Sequence, residues 1–300
     1  MRPLFLVVAA CGAASTPPAT PVAPCQAPVL PKLAAQHTPN RSKLYVASID
    51  HGKVGTPVLV TDKLGYVNQP AFTSDGRGLY FTWRPDGGQS DIWLHDLAGH
   101  TERAITCSSE EEYAASEAPD HRLTAIRVEP DLTKHLVALG PPVEKLLPAV
   151  TGVGAYRWVD DHTMAVMTVE ADGTNHVALA DPSKGTLDII GGPITGAIAV
   201  TPDRKAISYV SPEGDMMQLV VTDVATRASK VVRALPDGVD NASWLDDTTV
   251  LIGSGTKLMT GGVTGEWREL ADLGAALAGP ITRIVLAPDR QRVALVVHVD

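Results

Sequence analysis

The sequence predicts an all-β fold, a six-bladed β-propeller built from four-stranded antiparallel blades. The first observation is a turn centred on aspartate, which recurs between apolar runs along the 300-residue chain. The six turn residues are Asp75, Asp120, Asp161, Asp203, Asp247 and Asp289. Their successive spacings are 45, 41, 42, 44 and 42 residues, and one four-stranded blade takes about 40–45 residues. The spacing therefore predicts six blades.

The second observation is the order of segments that follows each turn. After Asp75, residues 79–83 form an apolar run, a polar loop follows, and a further run occupies residues 91–94. These runs are rich in β-branched, aromatic and other apolar residues, which favour strands. A last, weaker strand is predicted at residues 103–106. The order recurs after the other turns, as an array of antiparallel blades requires.

The third observation concerns the two ends of the chain. Two strand-like runs, at 43–47 and 57–61, precede the first turn, and the runs at 282–286 and 293–299 lie on either side of the last. The C-terminal runs would supply the two inner strands of one blade and the N-terminal runs its two outer strands. Such a composite blade closes the ring and removes an unpaired sheet edge. The propeller domain is therefore predicted over residues 43–300.

The best-preserved repeat carries a family resemblance. The segment from Pro70 to Phe81, followed by Asp91-Ile92-Trp93, resembles the TolB-like, or Pro-Asp, propeller repeat. Blades of that family have a Ser-Pro-Asp-Gly turn and then an Asp-Ile-Tyr type of strand. The resemblance implies a six-bladed ring, and many such propellers are envelope proteins that bind other proteins. Some relatives precede a protease domain or act on sugars.

The N-terminus has the pattern of an export signal. Residues 1–10 are predicted to be a signal peptide, and Val8-Ala9-Ala10-Cys11 resembles a bacterial lipoprotein processing box, which implies lipidation of Cys11. Residues 11–42 then form a Pro/Ala-rich tether that is too poor in bulky apolar side chains to pack. The alternative is an ordinary secretory signal in which Cys11 is incidental. Either interpretation predicts an exported protein of the bacterial cell envelope or periplasm.

Two cysteines remain if Cys11 is lipidated. An even pair in an exported protein suggests a disulfide, here between Cys25 and Cys107. This bond would tie the tether to the end of the first complete blade. The alternative is two separate thiols, with Cys107 at the end of a strand.

Composition excludes several classes of partner. The formal net charge is −9, so nucleic acid is not expected to bind. No apolar run reaches the 18 or more residues of a membrane span, so contact with a membrane is predicted through the lipid anchor only. The nine histidines do not form the ligand pattern of a zinc site. The sequence predicts no cofactor and no metal.

Two classes of function fit this chain. The first is a non-catalytic propeller that binds a protein or peptide on the face with the longer loops, where Tyr66, Tyr113 and Tyr156 could serve as anchors because aromatic residues dominate binding hot spots. Alternatively, each tyrosine packs over a neighbouring blade. The second class is an enzyme that acts on a sugar or lactone in the central channel.

Two charged residues depart from the repeat. Glu117 lies three positions before its turn aspartate and Arg157 lies four positions before its own, in columns that are otherwise apolar or small. They fall in consecutive blades, and blades pack face to face, so the sequence predicts an ion pair between them. The alternative is that each side chain reaches the water of the channel, where the two would be candidates for a ligand site.

Overall fold

The computed structural model describes residues 40–299, which form a six-bladed β-propeller. The chain begins with strands β1 (Arg41–Asp50), β2 (Lys53–Val54) and β3 (Val58–Leu59). Blade 1 follows, with β4 (Tyr66–Phe72), β5 (Gly78–Arg84), β6 (Asp91–Asp96) and β7 (Thr101–Ala104). Blade 2 consists of β8 (Glu111–Glu117), β9 (Leu123–Val128), β10 (Lys134–Ala138) and β11 (Glu144–Lys145).

Three further complete blades and the closing strands occupy the rest of the chain. Blade 3 consists of β12 (Val153–Trp158), β13 (Met164–Val169), β14 (Asn175–Asp181) and β15 (Thr186–Gly191). Blade 4 consists of β16 (Thr195–Val200), β17 (Ala206–Glu213), β18 (Met216–Asp223) and β19 (Ser229–Ala234). Blade 5 consists of β20 (Ala242–Trp244), β21 (Thr249–Ser254), β22 (Lys257–Gly262) and β23 (Arg268–Asp272). The last strands are β24 (Ile281–Leu286) and β25 (Arg292–Val299).

The composite blade is confirmed and forms blade 6. Its strands lie in the order β24, β25, β1 and β3, and β2 forms a short hairpin with β1. The pairing of β1 with β25 runs from Arg41 opposite Val299 to Ser48 opposite Arg292. Because the outer part of this blade comes from the N-terminal end and the inner part from the C-terminal end, antiparallel hydrogen bonds close the ring.

The turn aspartates act as the sequence predicts, with one refinement. The carboxylate of Asp75 accepts hydrogen bonds from the Thr73 hydroxyl at 2.6 Å and from the Arg77 amide at 2.9 Å. In blade 3, however, Asp160 and not Asp161 accepts the bonds from the turn amides, and blade 5 uses Asp246 in the same way. In those two blades, the first aspartate of the pair makes the turn.

The apolar core is divided into six clusters, one between each pair of neighbouring blades. The β-branched and aliphatic residues of the two middle strands face these interfaces, as the alternation of strand side chains requires. The cluster between blades 1 and 2 has only five buried members, which are Tyr80, Ile92, Ala115, Ala125 and Val137. Because the clusters join every blade to the next, blades 3 and 6 lie on opposite sides of the central channel.

Candidate binding site in the central channel

The inner strand of most blades carries a β-bulge near its middle. The pairing register shifts between Asn68 and Ala71 in β4 and between Tyr113 and Ser116 in β8, and β12, β16 and β24 show corresponding shifts. At two of these bulges Gln69 and Ala114 take positive φ values of 52° and 55°, which is uncommon outside glycine. A bulge re-aims the side chains that follow it, so simple alternation does not predict which residues line the channel.

Two arginines lie on the inner strands of opposite blades. Arg157 lies near the end of β12 in blade 3, and Arg283 lies on β24 in blade 6. The pKa of Arg157 is lowered, chiefly because protein surrounds its side chain and also because the positive charge of Arg283 is close. Both side chains remain partly accessible to solvent. The two guanidinium groups thus belong to inner strands of opposite blades and lie near enough for the charge of Arg283 to act on Arg157.

The charge of Arg283 acts on groups around the whole channel. Burial raises the pKa of Tyr66 in blade 1, and Arg283 opposes this shift. Its effect on Asp240, beside blade 5, is similar, because the surrounding protein raises the pKa of that carboxyl group and Arg283 lowers it. The charge of Arg283 in blade 6 thus acts on groups of the neighbouring blades 1 and 5 as well as on Arg157 of the opposite blade.

Neither guanidinium forms a salt bridge within residues 40–299. Arg157 donates from Nη1 to the carbonyl oxygen of Tyr156 at 2.9 Å. The Nε atom of Arg283 is buried and has no hydrogen-bond partner. A cavity of about 10 Å³ beside Arg283 has room for at most a single water molecule. The two positive charges therefore lack a direct counter-ion in the described part of the chain.

The tyrosines predicted as binding anchors have different environments. Tyr66 and Tyr113 are half-buried on neighbouring inner strands, and the guanidinium of Arg84 lies 4.9 Å from the centre of the Tyr66 ring. Burial, followed by the charge of Glu111, raises the pKa of Tyr113. Both side chains lie at the start of their strands, so they belong to the end of the channel opposite the aspartate turns.

The expectation that Tyr156 is an exposed anchor is wrong. Its side chain is only 1% exposed, and its hydroxyl group lies 2.9 Å from the Thr124 hydroxyl of blade 2. Tyr156 packs in the cluster between blades 2 and 3, which corresponds to the alternative considered for the tyrosines. It therefore stabilises the ring and offers no surface to a partner.

The predicted ion pair between Glu117 and Arg157 is also wrong. The carboxylate of Glu117 faces the preceding blade, where it accepts hydrogen bonds from the Ser74 amide at 2.8 Å and the Tyr80 hydroxyl at 3.1 Å. The equivalent Trp158 donates to Thr124 of its preceding blade, and Trp244 donates to Ser208 in the same way. This column therefore faces backward around the ring, whereas Arg157, in the adjacent column, reaches the channel.

The sequence analysis missed Arg283 and Asp240. Arg283 lies six positions before its turn aspartate, where the other blades have Gln69, Ala114, Ala155, Ala197 and Asn241. Asp240 lies seven positions before its own turn and is the only acidic residue in that column. Both residues are outliers in their columns, as Arg157 is in its own, but these columns lie further back along the inner strands.

A second cluster of charge lies between blades 1 and 2. Glu112 is fully buried, and Arg127 lies 2.7 Å from its Oε1 atom. The Ser108 hydroxyl donates to the same oxygen at 2.6 Å. Asp91, on β6, accepts a hydrogen bond from Thr106 at 3.3 Å. Burial raises the pKa of Asp91 to about 7, and the negative charges of Glu112 and Glu111 add to the shift.

The cysteine predictions concern residues at the boundary of the described structure. Cys107, in the loop after β7, is disulfide-bonded. The other two cysteines of the chain, Cys11 and Cys25, lie outside the described residues. The pairing of Cys25 with Cys107 and the lipidation of Cys11 therefore stay predictions, as do the signal peptide and the tether.

Residues 40–299 contain neither a cluster of metal ligands nor a membrane-spanning helix. Among residues 40–299 there is no group of three or more His, Cys, Asp or Glu side chains that could hold a metal ion. None of the described segments is a helix long and apolar enough to cross a membrane.

Fold and site together define the class as a six-bladed β-propeller with a charged central channel. A putative TolB from Agrobacterium tumefaciens is similar to this chain, with a TM-score of 0.67, 13% identity, and coverage of 88% of this chain and 100% of that one. A gluconolactonase from Xanthomonas campestris has a TM-score of 0.58 at 13% identity, covering 93% and 99%. An oligogalacturonate lyase in complex with manganese has a TM-score of 0.54 at 14% identity, covering 81% and 80%.

The similarity to TolB agrees with the resemblance of the repeat. At these identities the solved structures show the fold alone. No family model matches the chain, and no curated protein matches it either.

Proposed function

We propose that this protein is a non-catalytic, exported propeller that binds a protein or peptide at the face opposite the aspartate turns. The face includes the loops before the inner strands and those between the second and third strands of each blade. Of the large apolar side chains that the structure exposes, Leu64 and Leu132 lie in these loops and Met216 is the first residue of β18; Leu64 is 78% exposed. Exposed apolar side chains commonly mark interaction surfaces.

The observation that carries the proposal is the position of these side chains around the channel entrance with Tyr66 and Arg283. Tyrosine and arginine are enriched in protein interfaces, and both are frequent hot-spot residues. These groups bind and orient a partner without a chemical step. The disulfide at Cys107 supports export, because disulfides form and persist in oxidising compartments.

Site-specific photo-crosslinking in intact bacteria tests this proposal. A benzophenone amino acid in place of Leu64 is expected to capture a defined partner. The same probe in place of Lys205, an exposed residue of an aspartate turn, is the matched control and is expected to capture none. Equal labelling from both positions, or no capture at position 64, would contradict a partner on this face.

The alternative function is an enzyme that acts on a sugar or lactone. The fold similarity to the gluconolactonase and the lyase is its support. Turnover of gluconolactone or oligogalacturonate by the purified protein, together with loss of turnover on substitution of Arg157 or Asp240, would favour this alternative over the binding function.

A further inference from the structure

The unpaired arginines of the channel require an explanation that their packing does not supply. Arg157 and Arg283 approach from opposite blades, and each lacks a salt bridge within the described residues. Moving a charge into protein surroundings without a counter-ion is costly, and buried charges are therefore normally paired. Two like charges close together add repulsion, which agrees with the lowered pKa of Arg157.

The surroundings leave the two guanidinium groups available to a ligand. Counted from the turn aspartates, the residues that correspond to Arg157 on the other inner strands are all smaller than arginine, namely Ala71, Ser116, Ala199, Ser243 and Val285. The hydrogen bond from Nη1 of Arg157 to the Tyr156 carbonyl holds its side chain in one orientation, and its other nitrogen atoms have no hydrogen-bond partner among residues 40–299. The buried Nε atom of Arg283 is likewise unpartnered.

We propose that the central channel binds a carboxylate group between Arg157 and Arg283. A guanidinium group has a planar, fixed set of donors that matches the two oxygens of a carboxylate. A bound carboxylate would neutralise the pair and supply the missing hydrogen bonds. This inference deepens the proposed binding function, because it names the chemical group of the partner that enters the channel.

Asp240, the acidic group on which the charge of Arg283 acts, does not serve as the counter-ion of the two arginines. Asp240 acts on Arg283 only through its charge, and no hydrogen bond or salt bridge joins the two. Asp240 also limits the net positive charge of the site, so we expect one carboxylate group of the ligand to lie between the two arginines.

Calorimetric titration of the full chain with succinate at low ionic strength tests the site, and succinamide is the uncharged control. Saturable binding of succinate and no binding of succinamide are expected. Arg157→Met and Arg283→Met should each weaken binding by about tenfold to a hundredfold, since hydrogen bonds to charged groups contribute roughly 1.5–3 kcal/mol. The matched control is Arg77→Met, an exposed residue of the aspartate-turn face, and it should leave the affinity unchanged.

Two outcomes would overturn the proposal. The first is that succinate fails to bind to the wild-type chain. The second is that binding survives both substitutions. Thermal unfolding of each variant shows whether it folds. If a methionine variant does not fold, Arg157→Lys and Arg283→Lys replace it, and these should also weaken binding because lysine lacks the planar set of donors.

Two further ligands distinguish the source of the carboxylate. An acidic tripeptide with blocked ends, Gly-Asp-Gly, represents a protein partner, and galacturonate represents a sugar acid. Tighter binding of the peptide supports both the site and the protein-binding function. Binding of galacturonate without the peptide supports the carboxylate site and contradicts the protein-binding function.

Discussion

Charged side chains are enclosed by protein in two regions, the interface between blades 1 and 2 and the central channel, but they are paired only in the first. At the interface, Arg127 contacts Glu112 at 2.7 Å and lies 3.7 Å from Glu110. In the channel, neither Arg157 nor Arg283 has a carboxylate in contact within the part of the chain that the structure describes. The charge of Arg127 is neutralised by Glu112, so this pair has a structural role. The charges of Arg157 and Arg283 are not neutralised by the described residues, and for this reason we assign them a role in binding.

The largest expected effect comes from breaking the paired region. Arg127→Met leaves the fully buried Glu112 without its cation, beside Asp91. Removing one partner of a buried pair destabilises proteins by about 3–5 kcal/mol, and we expect a loss of that order in urea unfolding. The interface has the smallest apolar cluster of the ring, which offers little compensation.

The matched control for this substitution is Arg122→Met. Arg122 pairs with Asp120 at 2.7 Å and also with Glu144, but about half of its side chain is exposed. Surface pairs contribute about 0–1 kcal/mol, so the control should lose little stability. If both variants lose a similar free energy of unfolding, the buried pair at the interface contributes no more to stability than the exposed one.

The second prediction concerns the sign of the effect in the channel. Arg157→Met removes an unpaired, enclosed charge and its repulsion with Arg283. We therefore expect the variant to gain stability by about 1–3 kcal/mol in the absence of ligand, although it loses carboxylate binding. Urea unfolding without added anions measures this effect. A loss of stability would show that Arg157 has a structural partner and would remove the contrast between the two regions.

The third prediction uses the pH dependence of the interface. An unfolded aspartate has a pKa of about 3.9, and in the folded chain burial raises the pKa of Asp91 to about 7. Between these values the folded state holds the extra proton, so the contribution of Asp91 to stability falls as pH rises from about 4 to about 7. The buried pair of Glu112 and Arg127 does not remove this effect, because the charge of Glu112 repels an ionised Asp91.

Asp91→Asn should abolish this decline, because an amide does not ionise. We expect the variant to melt about 2–4 °C above the wild-type chain at pH 8, with a smaller difference at pH 5. Differential scanning calorimetry across this range measures both values. A constant difference at all pH values would mean that Asp91 keeps an ordinary pKa in the folded chain.

The sequence predicted the ring more completely than the site. Blade number and closure follow from the spacing of the aspartate turns and from the strands at the two chain ends, and both depend on local patterns. The direction of a side chain on an inner strand depends on the bulges at residues such as Gln69 and Ala114. The sequence does not show these bulges, so the direction of Glu117 was assigned wrongly.

A similar limit applies at the other end of the chain. Residues 266–277 are the one segment whose sequence allows a helical turn. In the structure Arg268–Asp272 form β23, the outer strand of blade 5, and a turn follows in which the Leu277 amide donates to the Leu273 carbonyl at 3.0 Å. Pairing with β22 decides the conformation of β23, because tertiary contacts override a weak local preference. Arg283 is recognisable as a candidate binding residue only from the folded structure, in which its charge acts on Arg157 of the opposite blade.

The smallest expected effects test how Glu117 is connected. Glu117→Gln weakens two charge-assisted hydrogen bonds at the interface of blades 1 and 2 and should cost about 0.5–1.5 kcal/mol. Its carboxylate accepts from Tyr80, and burial followed by the charge of Glu117 raises the pKa of Tyr80 to about 12. A double-mutant cycle with Tyr80→Phe should therefore show coupling. The cycle with Arg157→Met should be additive to within about 0.5 kcal/mol, because residues without shared partners do not couple. If Glu117 is instead coupled to Arg157 and not to Tyr80, the two residues form the ion pair that the sequence suggested, and Arg157 does not belong to the carboxylate site.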